Sequence, residues 1–125
     1  MTNTTNTTNT PKTINAGLVV GRHNITDVTD YIFTDSTLML DPKSLRDLAV
    51  DGLNRLDVKA GDTLNLYITG FTPALTATIR VAFKNGILLN LFHFDVTTKS
   101  YIKDPLFTKD DVFNDSGYPA WFACY

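Results

Sequence analysis

Residues 63–94 constrain the fold more than any other stretch. Thr63 to Ile68 puts Leu64, Leu66 and Ile68 on one side and Asn65 and Tyr67 on the other, the alternation of a strand. Thr72-Pro73 then opens a helical stretch, with Thr72 as N-cap and Pro73 in the first turn. Leu75, Ile79, Ala82 and Phe83 line its apolar face as far as Asn85-Gly86. Ile87 to Phe94 follows as a nearly continuous apolar run, as expected of a central strand covered on both faces. Strand, helix and strand at these lengths make a right-handed parallel unit.

The preceding chain supplies further elements. Ile14 to Val20 reads as a first strand that opens into Gly21-Arg22-His23. Residues 24–36 alternate apolar and polar types, with a short strand at Tyr31 to Phe33. Asp41-Pro42 starts a helix, Asp41 as N-cap and Pro42 first inside, with Leu45, Leu48, Ala49, Leu53 and Leu56 on one face. A turn at Lys59-Ala60-Gly61-Asp62 leads into the middle strand. After Phe94, the turn VTTKS and the segment YIKD form a hairpin return at the sheet edge. Residues 2–10 read TNT three times, so residues 1–12 are expected to be a disordered polar tail before a single domain at 13–125. The order implies an α/β fold, a small Rossmann-like three-layer sandwich with a mainly parallel sheet.

Composition narrows the function classes. A chain of 125 residues, 43% hydrophobic and 19% charged, suits one soluble domain. Its formal charge of −2 gives no basic footprint for long nucleic acid, although a small phosphorylated ligand needs only a local site. The single cysteine, Cys124, supports neither an intrachain disulfide framework nor a cysteine zinc site. There is no run of about 18 apolar residues and no signal-peptide pattern, which points to a cytoplasmic protein with no membrane partner. Glycosylation-type triplets at Asn3, Asn6, Asn24 and Asn114 are then chance products of a Thr- and Asn-rich chain.

In open parallel sheets, ligands collect beyond the carboxyl ends of the strands, near the point where strand order reverses. The three strand ends here are Gly21-Arg22-His23, Thr69-Gly70-Phe71-Thr72 and His93-Phe94-Asp95. If those strands are parallel neighbours, both histidines, an arginine and a glycine-containing helix start share one edge. Each piece also has a purely structural reading. Thr69, Gly70 and Thr72 suit any tight turn into a capped helix, His23 suits an exposed loop, and His93 in an apolar run suits a hydrogen-bonded core position. The Arg22-His23 pair strengthens the joint reading, because a guanidinium can fork onto a phosphate while an imidazole exchanges a proton.

The scattered Asp27, Asp30, Asp35, Asp41 and Asp95 have no metal-ligand spacing and read as turn or capping residues, so no metal and no cofactor is expected. Lys43, Arg46 and Lys84 read as solvated charges. The C-terminal Tyr118, Trp121, Phe122 and Tyr125 are apolar enough to pack back on the domain or to form a subunit interface.

The series GLVVGRH, KAGDTLNLYITGFTPALTATI and GILLNLFHFD resembles the small stand-alone members of the CRISPR-associated Rossmann-fold (CARF) group and similar phage-encoded proteins, over roughly residues 14–103. The Gly-Gly-Thr form of the family's turn is replaced here by Thr69-Gly70-Phe71-Thr72-Pro73. The resemblance implies a homodimer that binds a cyclic oligonucleotide messenger of the cyclic oligoadenylate type. Only residues 104–125 follow the matched stretch, so no effector domain is expected. It also implies metal-independent ring-nuclease chemistry that dampens antiviral signalling. Arg22, His23 and His93 would be catalytic, and Gly21, Thr69, Gly70, Phe71, Thr72 and Asp95 would bind the ligand. The alternatives are a sponge that binds without cleaving and an interaction module that inhibits a defence complex through the aromatic tail.

Overall fold

The computed structural model describes residues 10–21, 25, 28–35 and 41–112. The elements run β1 (Thr13–Val19), β2 (Tyr31–Phe33), α1 (Pro42–Arg55), β3 (Thr63–Tyr67), α2 (Thr72–Lys84), β4 (Leu88–Asp95), β5 (Ser100–Phe107) and α3 (Lys109–Val112). The strands form one sheet in the order β2-β1-β3-β4-β5. All neighbours are parallel except β4 and β5, which form the expected edge hairpin.

Alternation builds the core. Ala16, Leu18, Leu64, Leu66, Leu89 and Leu91 are buried and share a cluster with Leu45, Ala49 and Leu53 of α1 and Ala74, Ala77, Val81 and Ala82 of α2. Each fully buried large aliphatic contributes on the order of 1.5–3 kcal/mol. The two helices also pack on each other, so both lie over the same face of the sheet. Among the described residues these two helices form one layer on an α/β, mostly parallel five-stranded sheet.

Both helices bury slightly different faces from those the apolar spacing suggests. In α1 the buried set is Leu45, Ala49, Gly52 and Leu53, whereas Leu48 is 42% exposed. Gly52 is there because a Cβ would collide with the Ile32 carbonyl of β2. In α2 the buried set is Ala74, Ala77, Thr78, Val81 and Ala82, with Leu75 and Ile79 at its flank. Small side chains let α2 sit close to the sheet and to α1, and large ones are displaced to the margin.

The opposite face carries two rows set by the register. Asn65 donates to the Asn15 side-chain carbonyl (2.9 Å), and Asn90 donates to that of Asn65 (3.0 Å), a ladder across β1, β3 and β4. One pleat nearer the carboxyl ends, Tyr31 lies over Gly17, where a Cβ would strike its ring. In the same row Tyr67 stacks on Phe92 (4.6 Å between centroids, 15° between planes), and Tyr101 meets Tyr67 edge-on at 5.1 Å. Burial pushes the Tyr101 phenol pKa up, with Tyr31 and Tyr67 adding to the shift. β4 is therefore half-covered on this side, unlike the central strand expected from its apolar run.

At the amino ends of the strands, Asp62 is buried and its carboxylate accepts from the Lys12 ammonium (2.9 Å), the Lys12 amide (3.1 Å) and the Lys59 amide (2.9 Å). Lys12, which the sequence reading leaves in the polar tail, is thus fastened to the sheet. Burial opposes ionisation of Asp62, but the Lys12 and Lys59 hydrogen bonds outweigh it and hold the carboxyl below its ordinary value.

Candidate functional site

Order reverses between β1 and β3: β1 leads outward to β2, and β3 leads the other way to β4. Their carboxyl ends are the topological switch point, where open sheets of this kind accommodate ligands. The last ladder pair is Gly17 with Tyr67, and beyond it the strands are held by a side chain. The Thr69 hydroxyl accepts from the Val19 amide (2.9 Å) and donates to the Val19 carbonyl (3.2 Å), and Thr69 is buried. Both hydrogen-bonding functions of Thr69 are spent on keeping β1 and β3 together.

The next residues form a tight turn in which the Phe71 amide donates to the Thr69 carbonyl at 2.7 Å. Phe71 has extended backbone and is the N-cap of α2; its carbonyl accepts from Ala74 (3.1 Å) and Leu75 (3.2 Å). Thr72 is therefore inside the helix rather than its cap, displaced by the turn that the Thr69 clamp imposes. No side-chain hydrogen bond caps the helix. The Thr72 side chain is exposed and has no hydrogen-bond partner among the described residues. Phe71 is half-buried against the core.

Gly70 is the informative glycine. Its backbone does not need glycine, and a Cβ there would meet nothing within 4 Å. Its missing side chain leaves open space beside the turn. Gly21, by contrast, has φ 82°, a conformation in which glycine is least strained, and it turns β1 into the loop. Arg22 and His23 follow immediately and lie outside the described residues, as does the aromatic segment Tyr118–Tyr125.

The third strand end behaves differently. β4 and β5 continue past the last β3 pair, Tyr67 with Phe92, so His93 has no ladder partner in β3, although the Ile68 amide still donates to the Phe92 carbonyl at 3.0 Å. It is exposed, not a core histidine, and its Nε2 lies 3.0 Å from Asp104 Oδ2. Asp95 accepts from the Thr97 amide and the Thr98 hydroxyl, both at 3.0 Å, and its carbonyl accepts from Lys99 at 2.7 Å. Its carboxylate shapes the hairpin turn, in which Lys99 takes φ 57°. The parallel neighbours thus place Gly21, Thr69, Gly70, Phe71 and Thr72 at the carboxyl ends of β1 and β3, with His93 and Asp95 on the adjoining arm.

Among the described residues no group of three or more His, Cys, Asp or Glu side chains could hold a metal ion, and no helix is long and apolar enough to cross a membrane. No protein-family model, curated protein or solved structure matches the chain.

Proposed function

We propose that the chain binds a small phosphate-bearing ligand of the nucleotide class at the carboxyl ends of β1 and β3. The observation that carries this reading is the switch point itself, where Thr69 holds the strands, Gly70 leaves space and Thr72 presents a hydroxyl with no partner among the described residues. A helix start at this position favours anions. In its finer form, which rests on the sequence resemblance, the fold is Rossmann-like and the ligand is a cyclic oligoadenylate held across a homodimer in the cytoplasm.

Cleavage would need no metal. A ribose 2′-oxygen attacks the adjacent phosphorus, its proton passes to a base, and the 5′-oxygen leaves with a proton, giving a cyclic phosphate and a free 5′-hydroxyl. Arg22 would clamp the phosphate and His23 would move the proton. Sequestration without cleavage is the second reading, favoured by the commitment of the Thr69 hydroxyl, the Phe71 amide and the Asp95 carboxylate to the fold. Incubation with cyclic oligoadenylates followed by heat denaturation separates the two: linear product supports the nuclease, and intact ligand sinks it. Failure of Arg22→Ala/His23→Ala to alter binding or cleavage would remove those residues from the site.

A further inference from the structure

A cavity of about 480 Å³ lies between the two long helices and is lined by Pro42 and Arg46 of α1 and Pro73, Thr76, Ala77 and Arg80 of α2. Its volume falls in the usual range for small-molecule sites, about 300–1,000 Å³. The lining is divided in character. Two prolines, an alanine and the Thr76 side chain supply apolar lining, and two guanidiniums supply the cavity's only ionisable groups among the described residues.

Those guanidiniums are uncommitted. The neighbouring Lys43 pairs with Asp47 at 3.2 Å and Arg55 donates to the Tyr31 carbonyl, but neither Arg46 nor Arg80 has an ion-pair or hydrogen-bond partner among the described residues. No acidic residue occupies the first turn of either helix, and Asp41, just before α1, is engaged by the Ser44 hydroxyl at 2.6 Å. Pro42 and Pro73 carry no amide hydrogen, so at the cavity wall itself the Arg46 and Arg80 side chains supply the charge for an anion.

The geometry points to a binding site for a small amphiphilic anion, an apolar body on the proline-alanine floor with a phosphate or carboxylate head bridged by Arg46 and Arg80. Guanidinium forks suit either head group, and the floor excludes water from one side of the contact. The lining shares no residue with the group at the β1/β3 carboxyl ends, and the proposal does not depend on what binds there.

Titration of the full chain with phenyl phosphate, benzoate and neutral benzyl alcohol, followed by amide chemical-shift mapping, tests it. Saturable binding of the two anions is expected, with shifts centred on residues 42–46 and 73–80 and the stronger anion identifying the head group. Each of Arg46→Gln and Arg80→Gln should weaken binding by about tenfold, and Thr76→Tyr should block the groove from its solvent side without disturbing the core. Equal binding of benzyl alcohol, unchanged affinity in the double glutamine variant, shifts mapping elsewhere, or no saturation by either anion at about ten millimolar, the level at which weak fragments are seen, would overturn the proposal.

Discussion

The two ends of the parallel sheet are built on opposite plans. At the amino ends a single buried carboxylate, Asp62, gathers three donors, while backbone bonds from Thr63 to Lys12, Leu88 to Asp62 and Gly61 to Gly86 close the remaining gaps at 2.9 Å each. At the carboxyl ends one hydroxyl joins β1 to β3, after which the chain gives way to open space over Gly70 and an arm whose Phe94, Val96 and Ile102 are 46%, 73% and 50% exposed. One end fixes register and entry. The other commits Thr69, Phe71 and Asp95 to the fold but leaves space over Gly70, at the end where an open sheet accommodates a ligand.

The difference is sharpest under substitution. Asp62→Ala strands the Lys12 and Lys59 donors and should cost about 3 kcal/mol, lowering the thermal midpoint by roughly 10 °C, while the carboxyl ends of β1 and β3 stay intact in the folded fraction. Urea titration checks it; a loss under 1 kcal/mol would contradict the hub. Next comes Thr69→Val, which leaves the Val19 amide and carbonyl unpaired in the interior and should cost about 2 kcal/mol. Thr69→Ser should recover most of that loss, since the hydroxyl is what spans the strands.

The pH dependence probes the amino end. The folded-state pKa of Asp62 is depressed, so its contribution is present above the unfolded carboxylate value near 3.8 and is lost as pH falls through the lower folded value. The Lys12 ammonium is raised by its hydrogen bond to Asp62, so its contribution is present below 10.5 and is lost as pH rises through the higher folded value. The stability gap between the natural protein and Asp62→Asn should therefore be flat through neutrality and shrink below pH 3.8. A gap that grows on acidification would contradict the sign.

Smaller effects belong to the carboxyl edge. His93→Ala removes a half-exposed pair with Asp104 and should change stability by no more than about 1 kcal/mol. Gly70→Ala should be smallest, within about 0.5 kcal/mol and stabilising if anything, because the backbone there has no need of glycine. If it nevertheless weakens nucleotide binding, the open space has a use other than folding.

Much of the architecture was legible. Tyr31–Phe33, the start at Pro42 and the unit from Thr63 through Asp95 all have local signals: alternation, a helix-opening proline, and a run too apolar for a loop. What escaped depends on partners far along the chain. Asp62 reads as a turn residue until register brings Lys12, 50 positions away, against it. The Asn15-Asn65-Asn90 ladder is invisible for the same reason. Thr72 looked like a cap because Thr-Pro is a helix-opening pair, but the Thr69 clamp and the turn to Phe71 set the helix start one residue earlier. His93 looked central because its run is apolar; β4 simply outlasts β3.

Amide chemical-shift mapping with cyclic oligoadenylates and their linear counterparts tests the central claim most directly. The account predicts saturable shifts centred on residues 17–21 and 69–72, with Asp62 and its neighbours undisturbed. No shifts with any nucleotide, or shifts centred at the amino ends of the strands, would contradict it.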